Sequence, residues 1–510
     1  MILRDLLPNT ATVQIQGSMD VEISHLAYDS RLTKPGALFF ALPGTKNDGI
    51  RFIDQACEYG ARAVVVPPGT AVPKQVTTIF SAAPRVLLGL IADRFYRSPS
   101  AQLTLIGVTG TSGKTTTTYL LEAIWQAMGW STGVIGTVNY RYQDRELSAP
   151  FTTPEAVELQ ELLSTMAAHQ VSHVVMEVSS HALVQERVQG CRWDGALFTN
   201  LGRDHLDFHR DIEDYFAAKS RLFLQALATS PKPNRFAVIN ADDPWGTILL
   251  TKPIPGRVLT YGLQPGVTVS AYNVERSFLG LRGILQLEGE EVEFSSSLIG
   301  EPHLYNILAA AAAAHALGAP AERIAAGIAH CTNVPGRLEA ITAGQPFTVL
   351  VDYAHKPDAL EKVLRSVRQL TAHRLLTVFG CGGDRDRGKR PLMGEAAGRL
   401  SDIVILTSDN PRTEDPRQII TEAEVGLIQA GQLQVPATES VVTLRQGYLV
   451  IADRRMAIRT ALAGAQLGDV VVVAGKGHED YQIIGTTKYH FDDREEVRNY
   501  CKMVYGEGRV

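Results

Sequence analysis

Residues Leu103-Thr104-Leu105-Ile106-Gly107-Val108 lead through Thr109 into Gly110-Thr111-Ser112-Gly113-Lys114-Thr115-Thr116, after which Leu120, Leu121, Ile124, Trp125 and Met128 recur at helical spacing. The first run has the length and apolar content of a buried strand, and the last marks one apolar face of a helix. A glycine turn between such a strand and helix is where a phosphate cradle has to sit. Backbone N–H groups at the helix N-terminus point at the anion, and the helix dipole adds to the attraction. Lys114 can reach the β- and γ-phosphates of a nucleotide, and the Thr115 hydroxyl can ligate Mg²⁺. The strict pattern G-x-x-x-x-G-K-[ST] is not met, because its first glycine falls on Val108 while glycines stand at 107, 110 and 113. An ordinary glycine turn is the plainer reading, and the flanking strand and helix weigh against it. ATP binding by Gly110, Thr111, Ser112, Gly113, Lys114, Thr115 and Thr116 is expected. A phosphate loop by itself names no reaction, since kinases, motors, transporters and ligases all use one.

Outward from this loop, strand-like runs recur at His173–Val178, Ala196–Thr199 and Phe236–Asn240, with helical stretches between them. Strands alternating with helices predict an α/β fold with a mostly parallel, doubly wound sheet. Around Ser277–Ser297 the pattern changes to short alternating strands, which predicts an antiparallel flank. The Val334-Pro335-Gly336 turn opens a second α/β region with buried-strand candidates Phe347–Val351, Leu375–Phe379, Ile403–Thr407 and Val470–Ala474. On the other side, Arg97-Ser98-Pro99-Ser100 reads as a linker after a block rich in turn signals such as Leu42-Pro43-Gly44 and Pro67-Pro68-Gly69. Three domains are expected: residues 1–100, a central phosphate-loop domain over 101–335, and a Rossmann-like domain over 336–510.

The 510 residues suit that number of domains, and 45% hydrophobic with 20% charged residues is ordinary globular composition. A formal net charge of −5 gives no field that favours nucleic acid or an anionic membrane. Cys57, Cys191, Cys331, Cys381 and Cys501 are scattered without C-x-x-C spacing, so neither a disulfide framework nor a zinc ribbon is expected and a reducing cytoplasm fits. The N-terminal stretch has Arg4 and Asp5 inside its only apolar run, unlike a signal peptide, and the alanine-rich run Ile307–Leu317 is too short to cross a bilayer. No membrane anchor is expected.

Glu177 ends the apolar run Val174-Val175-Met176, and Thr199-Asn200-Leu201-Gly202-Arg203-Asp204-His205-Leu206-Asp207 follows another strand end. Ligands of open α/β sheets collect at such strand ends, and a carboxylate there can share Mg²⁺ with Thr115. A lone histidine is more often a structural hydrogen-bonder than a metal ligand, and His205 departs from that rule only through its neighbours and position. Lys219, on a helical pattern, reads by itself as a solvated surface lysine.

Together, Gly110–Thr116, Glu177–His181, Thr199–Asp207 and Tyr215-Phe216-Ala217-Ala218-Lys219 resemble the central domain of the Mur ligases, ATP-driven amide-bond ligases that build bacterial muropeptide precursors in the cytoplasm. The resemblance implies that Lys219 is carbamylated, and that Lys114, Glu177, His205 and the modified Lys219 are the catalytic set. It places Mg²⁺ on Thr115, Glu177, His205 and Lys219. It implies UDP-MurNAc-dipeptide contacts at Tyr28, Ser30 and the Thr45-Lys46-Asn47 loop, and also at Thr152, Thr153, Ser179, Gln185 and Arg187. It adds Asn306, Arg337, Asp352 and His355 to the ATP site, and carries no role onto His303 or Lys356.

Three later strand ends bear polar loops: Gly380–Arg390, Asp409-Asn410-Pro411-Arg412 and Gly475-Lys476-Gly477-His478-Glu479. Parallel topology gathers such loops at one sheet edge. In the family, the Asp-Asn-Pro-Arg loop marks selection of meso-diaminopimelate over lysine. The distal end of diaminopimelate carries a carboxylate that Arg412 can bind bidentately, and lysine has none. A site built around such a pairing can discriminate by about 10⁴-fold. Arg385, Asp409, Asn410, Pro411, Gly475 and Glu479 complete the expected amino-acid contacts. The implied reaction joins meso-diaminopimelate to UDP-MurNAc-L-Ala-D-Glu through an acyl phosphate, in a chain expected to be a monomer. A lysine-adding muropeptide ligase, a folylpolyglutamate synthetase and a non-catalytic nucleotide-binding scaffold are the alternatives. Arg412, the Tyr28–Arg31 segment and intact Lys114, Thr115, Glu177 and His205 respectively speak against them.

Overall fold

Three large β-sheets and a separate two-stranded one are present among the described residues, 1–9, 12–44, 48–436 and 439–506, of a computed structural model. The first sheet has five strands, in spatial order Gln14–Gln16, Thr77–Phe80, Ala61–Val66, Ala37–Phe40 and His25–Ala27. Only its first pair is antiparallel.

The central sheet has eleven strands. Thr104–Thr109 lies in its middle, parallel to Gly195–Phe198 on one side and to His173–Glu177 on the other. Alternation along the middle strand decides which layer each side chain joins. Ile106 and Val108 pack with Leu120, Leu121, Ile124 and Trp125 of the Lys114–Ala127 helix, while Leu105 joins the cluster on the opposite face. Both faces are therefore covered, as the continuous apolar run requires of a parallel strand. The alanine-rich segment is the helix Glu301–Ala316, whose Ala309–Ala314 are fully buried against the same layer. Small side chains let it pack closely, so this run is a core helix.

The expected antiparallel flank is present as Val269–Ser277, Gly280–Leu287 and Glu290–Ser296. A second antiparallel hairpin, Asn139–Tyr142 with Arg145–Ser148, closes the other edge and was not legible in the pattern. Its second strand is wholly exposed, so no buried face imposes an apolar alternation there.

The third sheet runs Glu339–Ala340, Thr348–Asp352, Val470–Ala474, Leu375–Cys381, Ile403–Ser408 and Gly447–Val450, parallel except at its first, two-residue strand. All four expected strands are there, and the edge strand Gly447–Val450 is additional. Register sets Asp352 beside Ala474 and Cys381 beside Ser408. The loops after four strands therefore leave from one edge. No helix among the described residues is long and apolar enough to cross a membrane.

Candidate active site

The phosphate loop is held by the strand ends on either side of it. Gly110, at φ +149, brings its backbone against Thr199: a Cβ there would lie 1.9 Å from Thr199 Oγ1. Only glycine fits. Thr111 N donates to Asn200 O at 2.8 Å, Ser112 N donates to Asn200 Oδ1 at 3.0 Å, and Thr199 Oγ1 donates to Ser112 O at 2.6 Å. Gly113, at φ +89, leaves room for Asn306 Oδ1, 2.3 Å from where its Cβ would be. Asn306 thus stands against the loop, and Thr116 is buried behind it.

Lys114 Nζ donates to Gly110 O at 2.8 Å and Thr111 O at 3.2 Å. Burial pulls its ammonium down to about 8. Lys219 corrects the surface reading, for its side chain is 1% exposed and its Nζ donates to the same Gly110 O at 2.9 Å. The amine also lies 4.6 Å from the Tyr215 ring centroid. Burial, and then the neighbouring Lys114, hold Lys219 well below the usual lysine range. Helical spacing could not foresee this, because the face that carries Lys219 packs beneath the phosphate loop.

Thr115 Oγ1 donates to Glu177 Oε1 at 2.9 Å and accepts from Arg337 Nη2 at 3.2 Å. Glu177 stands beside Val108 in the sheet register and is 1% exposed. Among the described residues it has no basic ion-pair partner; Thr137 donates its N–H and its hydroxyl to the two carboxylate oxygens at 2.9 and 3.0 Å. A buried carboxylate beside a hydroxyl and a phosphate cradle suits a hard cation that takes few protein oxygens. The donors fit Mg²⁺ completed by phosphate and water, and no group of three His, Cys, Asp or Glu among the described residues could hold a metal alone.

His205 is placed differently from Glu177. Its Nε2 faces Asp204 Oδ2 at 3.0 Å, and its ring packs edge-on to His181 at 4.8 Å. Asp204 in turn receives Lys356. Burial opposes the Asp204 charge, but Lys356 and His205 hold its carboxyl well below the usual range. His205 lies 6.0 Å from the Tyr215 ring, on which Lys219 also sits. Tyr215 is therefore the element shared by the two expected ligands.

A cavity of about 410 Å³ opens beside the loop, lined by Ser112, Gly113, Asn200, Asp242, Tyr305 and Asn306 of the central sheet region and by Lys362, Arg365 and Ser366 of the helix Pro357–Leu370. Both regions thus build it. Two expected nucleotide contacts are engaged elsewhere. Asp352 accepts Leu338 N and Ala354 N, both at 2.7 Å, and His355 is held by Tyr353 O at 2.8 Å and pushed down to about 3 by burial and by Lys356. They brace the segment that presents Arg337, whose guanidinium also lies 4.7 Å over Tyr353.

Tyr28 and Ser30 line a second cavity, of about 500 Å³, with Arg31, Gln55, Arg85 and Glu155. Thr45, Lys46 and Asn47 lie outside the described residues. Thr153 Oγ1 donates to Glu177 O at 2.8 Å, Thr152 meets Thr137 at 3.1 Å, and Ser179 caps the helix Ser180–Val184. Arg187 binds Gln185 Oε1, Thr153 O and Glu155. These five residues thus connect the second cavity to the Glu177 strand end.

At the third sheet edge, Arg412 Nη1 donates to Gly383 O at 2.7 Å and Arg385 Nη1 to Asp384 O at 3.1 Å. Neither guanidinium has a carboxylate partner among the described residues, whereas the buried Arg374, Arg390 and Arg454 each do. Arg412 has φ +53 and is fixed by Ile483 O and Gly485 N, from the turn of the hairpin Tyr481–His490. Asp409 and Asn410, both expected amino-acid contacts, already hold partners from neighbouring loops. Asp409 faces Lys476 Nζ at 3.1 Å, and Asn410 accepts Lys476 Nζ and Ile483 N while donating to Glu479 at 3.0 Å. They tie the loops together. Pro411 O packs on Gly383, and Gly475, at φ +119, lies where a Cβ would touch Arg454, Asp409 and Gly380 at 3.7–3.9 Å. Glu479 lines the same edge, its carboxyl raised by burial and by Asp409. Sequence reasoning missed Thr137, Tyr215, Tyr353 and the role of Lys476, whose partners are brought from far along the chain.

A model of the Mur ligase middle domain matches residues 108–314, one of the Mur ligase glutamate ligase domain matches 336–477, and one of the Mur ligase family catalytic domain matches 22–93. Over its whole length the chain is 49% identical to the whole of a UDP-N-acetylmuramoyl-L-alanyl-D-glutamate–2,6-diaminopimelate ligase of Geobacter metallireducens. A relative of the same name from Synechococcus elongatus is 46% identical over 98% of each chain. A solved structure of a ligase of that name is 32% identical and superposes with a TM-score of 0.70 over 99% of each chain.

Proposed function

The chain belongs to the Mur ligase family, and we propose that it joins meso-2,6-diaminopimelate to UDP-N-acetylmuramoyl-L-alanyl-D-glutamate with cleavage of ATP. The observation that carries this reading is the contact of Arg337 with Thr115, which ties the third sheet region, with Arg385 and Arg412 at its edge, to the phosphate loop. Residues 1–100 then hold the UDP-sugar at the Tyr28–Ser30 cavity, residues 101–335 hold ATP, and residues 336–510 hold the amino acid. A monomer acting in the cytoplasm is part of the same proposal, and the free cysteines suit that compartment.

In the reaction the γ-carboxylate of the D-glutamyl residue bonds to the ATP γ-phosphorus as the bond to ADP breaks. The amine of diaminopimelate then bonds to the acyl carbon, loses a proton, and phosphate leaves. Phosphoryl transfer needs neutralised charge and in-line placement. Gly110–Thr116 present N–H groups to the phosphates, and Lys114 turns from Gly110 O and Thr111 O toward them. Thr115 and Glu177, with His205 and a carbamylated Lys219, would hold Mg²⁺, which neutralises phosphate charge when bound. Two amines sharing Gly110 O cannot both carry charge comfortably, so Lys219 stays neutral, the form that attacks CO₂. As a carbamate it would attract Lys114. Arg412 receives the distal carboxylate of diaminopimelate, with Arg385 beside it, and docking of the third sheet region keeps water from the acyl phosphate.

Phosphate release from ATP with UDP-N-acetylmuramoyl-L-alanyl-D-glutamate, offering meso-diaminopimelate and lysine separately, tests this. Release only with diaminopimelate is expected. Equal release with lysine removes the substrate assignment, and no release with either removes the ligase reading.

A further inference from the structure

Lys356 joins two regions that are distant in sequence. Its Nζ donates to Asp204 Oδ2, and the same oxygen faces His205 Nε2. A second bond ties these segments: Arg203 N donates to Asp358 Oδ2 at 3.0 Å, and a Cβ on Gly202 would lie 2.8 Å from that oxygen. His205 has φ +52, a left-handed conformation that a non-glycine residue keeps only where its surroundings over-determine it. With Nε2–H turned to a carboxylate, the ring nitrogen left for a cation is Nδ1. Carboxylate–imidazole pairs of this kind orient metal ligands.

We propose that Lys356 is a positioning residue for metal binding: by clamping Asp204 it fixes the orientation of His205, so the imidazole is in place only while the third sheet region is docked on the central one. This rests on the reading of His205 as a Mg²⁺ ligand. It gives the amino-acid-binding region a direct hold on the phosphate site of its neighbour, through an ion pair rather than through substrate. A lysine serves here because its long stem spans the boundary between the regions, and its point charge needs no fixed fork geometry.

The test uses the full-length protein loaded with a non-hydrolysable ATP analogue and titrated with Mn²⁺ by electron paramagnetic resonance. Lys356→Met keeps the stem and removes the charge, and should weaken Mn²⁺ binding about tenfold. Binding of the analogue without metal should be unchanged, and Lys356→Arg should restore most of the Mn²⁺ affinity. Adding Lys356→Met to Asp204→Asn should bring no further loss, because the two act as one unit. Unchanged Mn²⁺ affinity in Lys356→Met overturns the proposal. An equal loss of metal-free analogue binding also overturns it, because Lys356 would then be a direct phosphate ligand. Wild-type phosphate release, measured in parallel, keeps this result separate from the ligase reading, which fails if no release occurs.

Discussion

The phosphate loop and the edge of the third sheet, proposed above to hold ATP and the amino acid, are built in opposite ways. The phosphate loop is one contiguous segment whose donors are backbone N–H groups, braced by Thr199 and Asn200 from the next strand end. The third sheet edge draws on three segments, and its proposed donors are the guanidinium groups of Arg385 and Arg412. Asp409, Asn410 and Lys476 lock those segments to one another. Backbone donors accept any phosphate, which is why a phosphate loop does not name a reaction. Selectivity between two amino acids needs a charge at one point, and fixing that point takes long-range contacts.

The largest effect expected is at Lys114. Lys114→Ala should lower kcat about 10⁴-fold in the phosphate-release assay; a loss of only tenfold would show that backbone donors suffice and break the contrast on its first side. Lys219→Ala should lower kcat about 10³-fold and recover partly with added small carboxylates. Full activity without rescue would leave the buried amine a purely structural group. Arg412→Ala should reduce kcat/KM for diaminopimelate about 10²-fold and shrink the preference over lysine, with ATP affinity unchanged. An unchanged preference would move selectivity off the third sheet edge.

The smallest effect sharpens the comparison through pH. Lys114 sits at about 8 in the free protein because burial disfavours its charge. Phosphate favours the charged form, so nucleotide binding should weaken as pH rises through about 8 and take up a proton above it. Calorimetry at pH 8.5 in buffers of different ionisation heat should show that uptake, and Lys114→Met should lose it. Between pH 8 and its ordinary range near 10.5, the lysine is neutral when folded and charged when unfolded. Its contribution to stability therefore rises with pH across that window.

The parallel sheets, the antiparallel flank at Val269–Ser296 and the phosphate loop were legible because each rests on a local pattern: a continuous apolar run, an alternation, a glycine turn before a helix. Glu177 was legible for the same reason, as the polar end of an apolar strand. The hairpin at Asn139–Ser148 was not, since an exposed edge strand leaves no apolar signature. Lys219 was misread on local grounds, and only the resemblance supplied it. The pairing of Asp409 and Asn410 with Lys476 and Glu479 was not legible, because sequence shows a polar loop without showing what already fills its hydrogen bonds.

The sequence by itself determined the strand–loop–helix that binds phosphate and the strand ends that carry polar residues, since these depend on periodicity and turn chemistry within a few residues. Tertiary structure alone decided which polar groups remain free and which are consumed. Lys219 is buried, Asp352 and Asn410 already hold partners, Arg412 has no carboxylate partner among the described residues, and Lys356 reaches Asp204. The physical reason is that solvation and pairing are set by whatever packs alongside, and in this chain such neighbours lie as far as 222 residues apart, as Arg337 and Thr115 do.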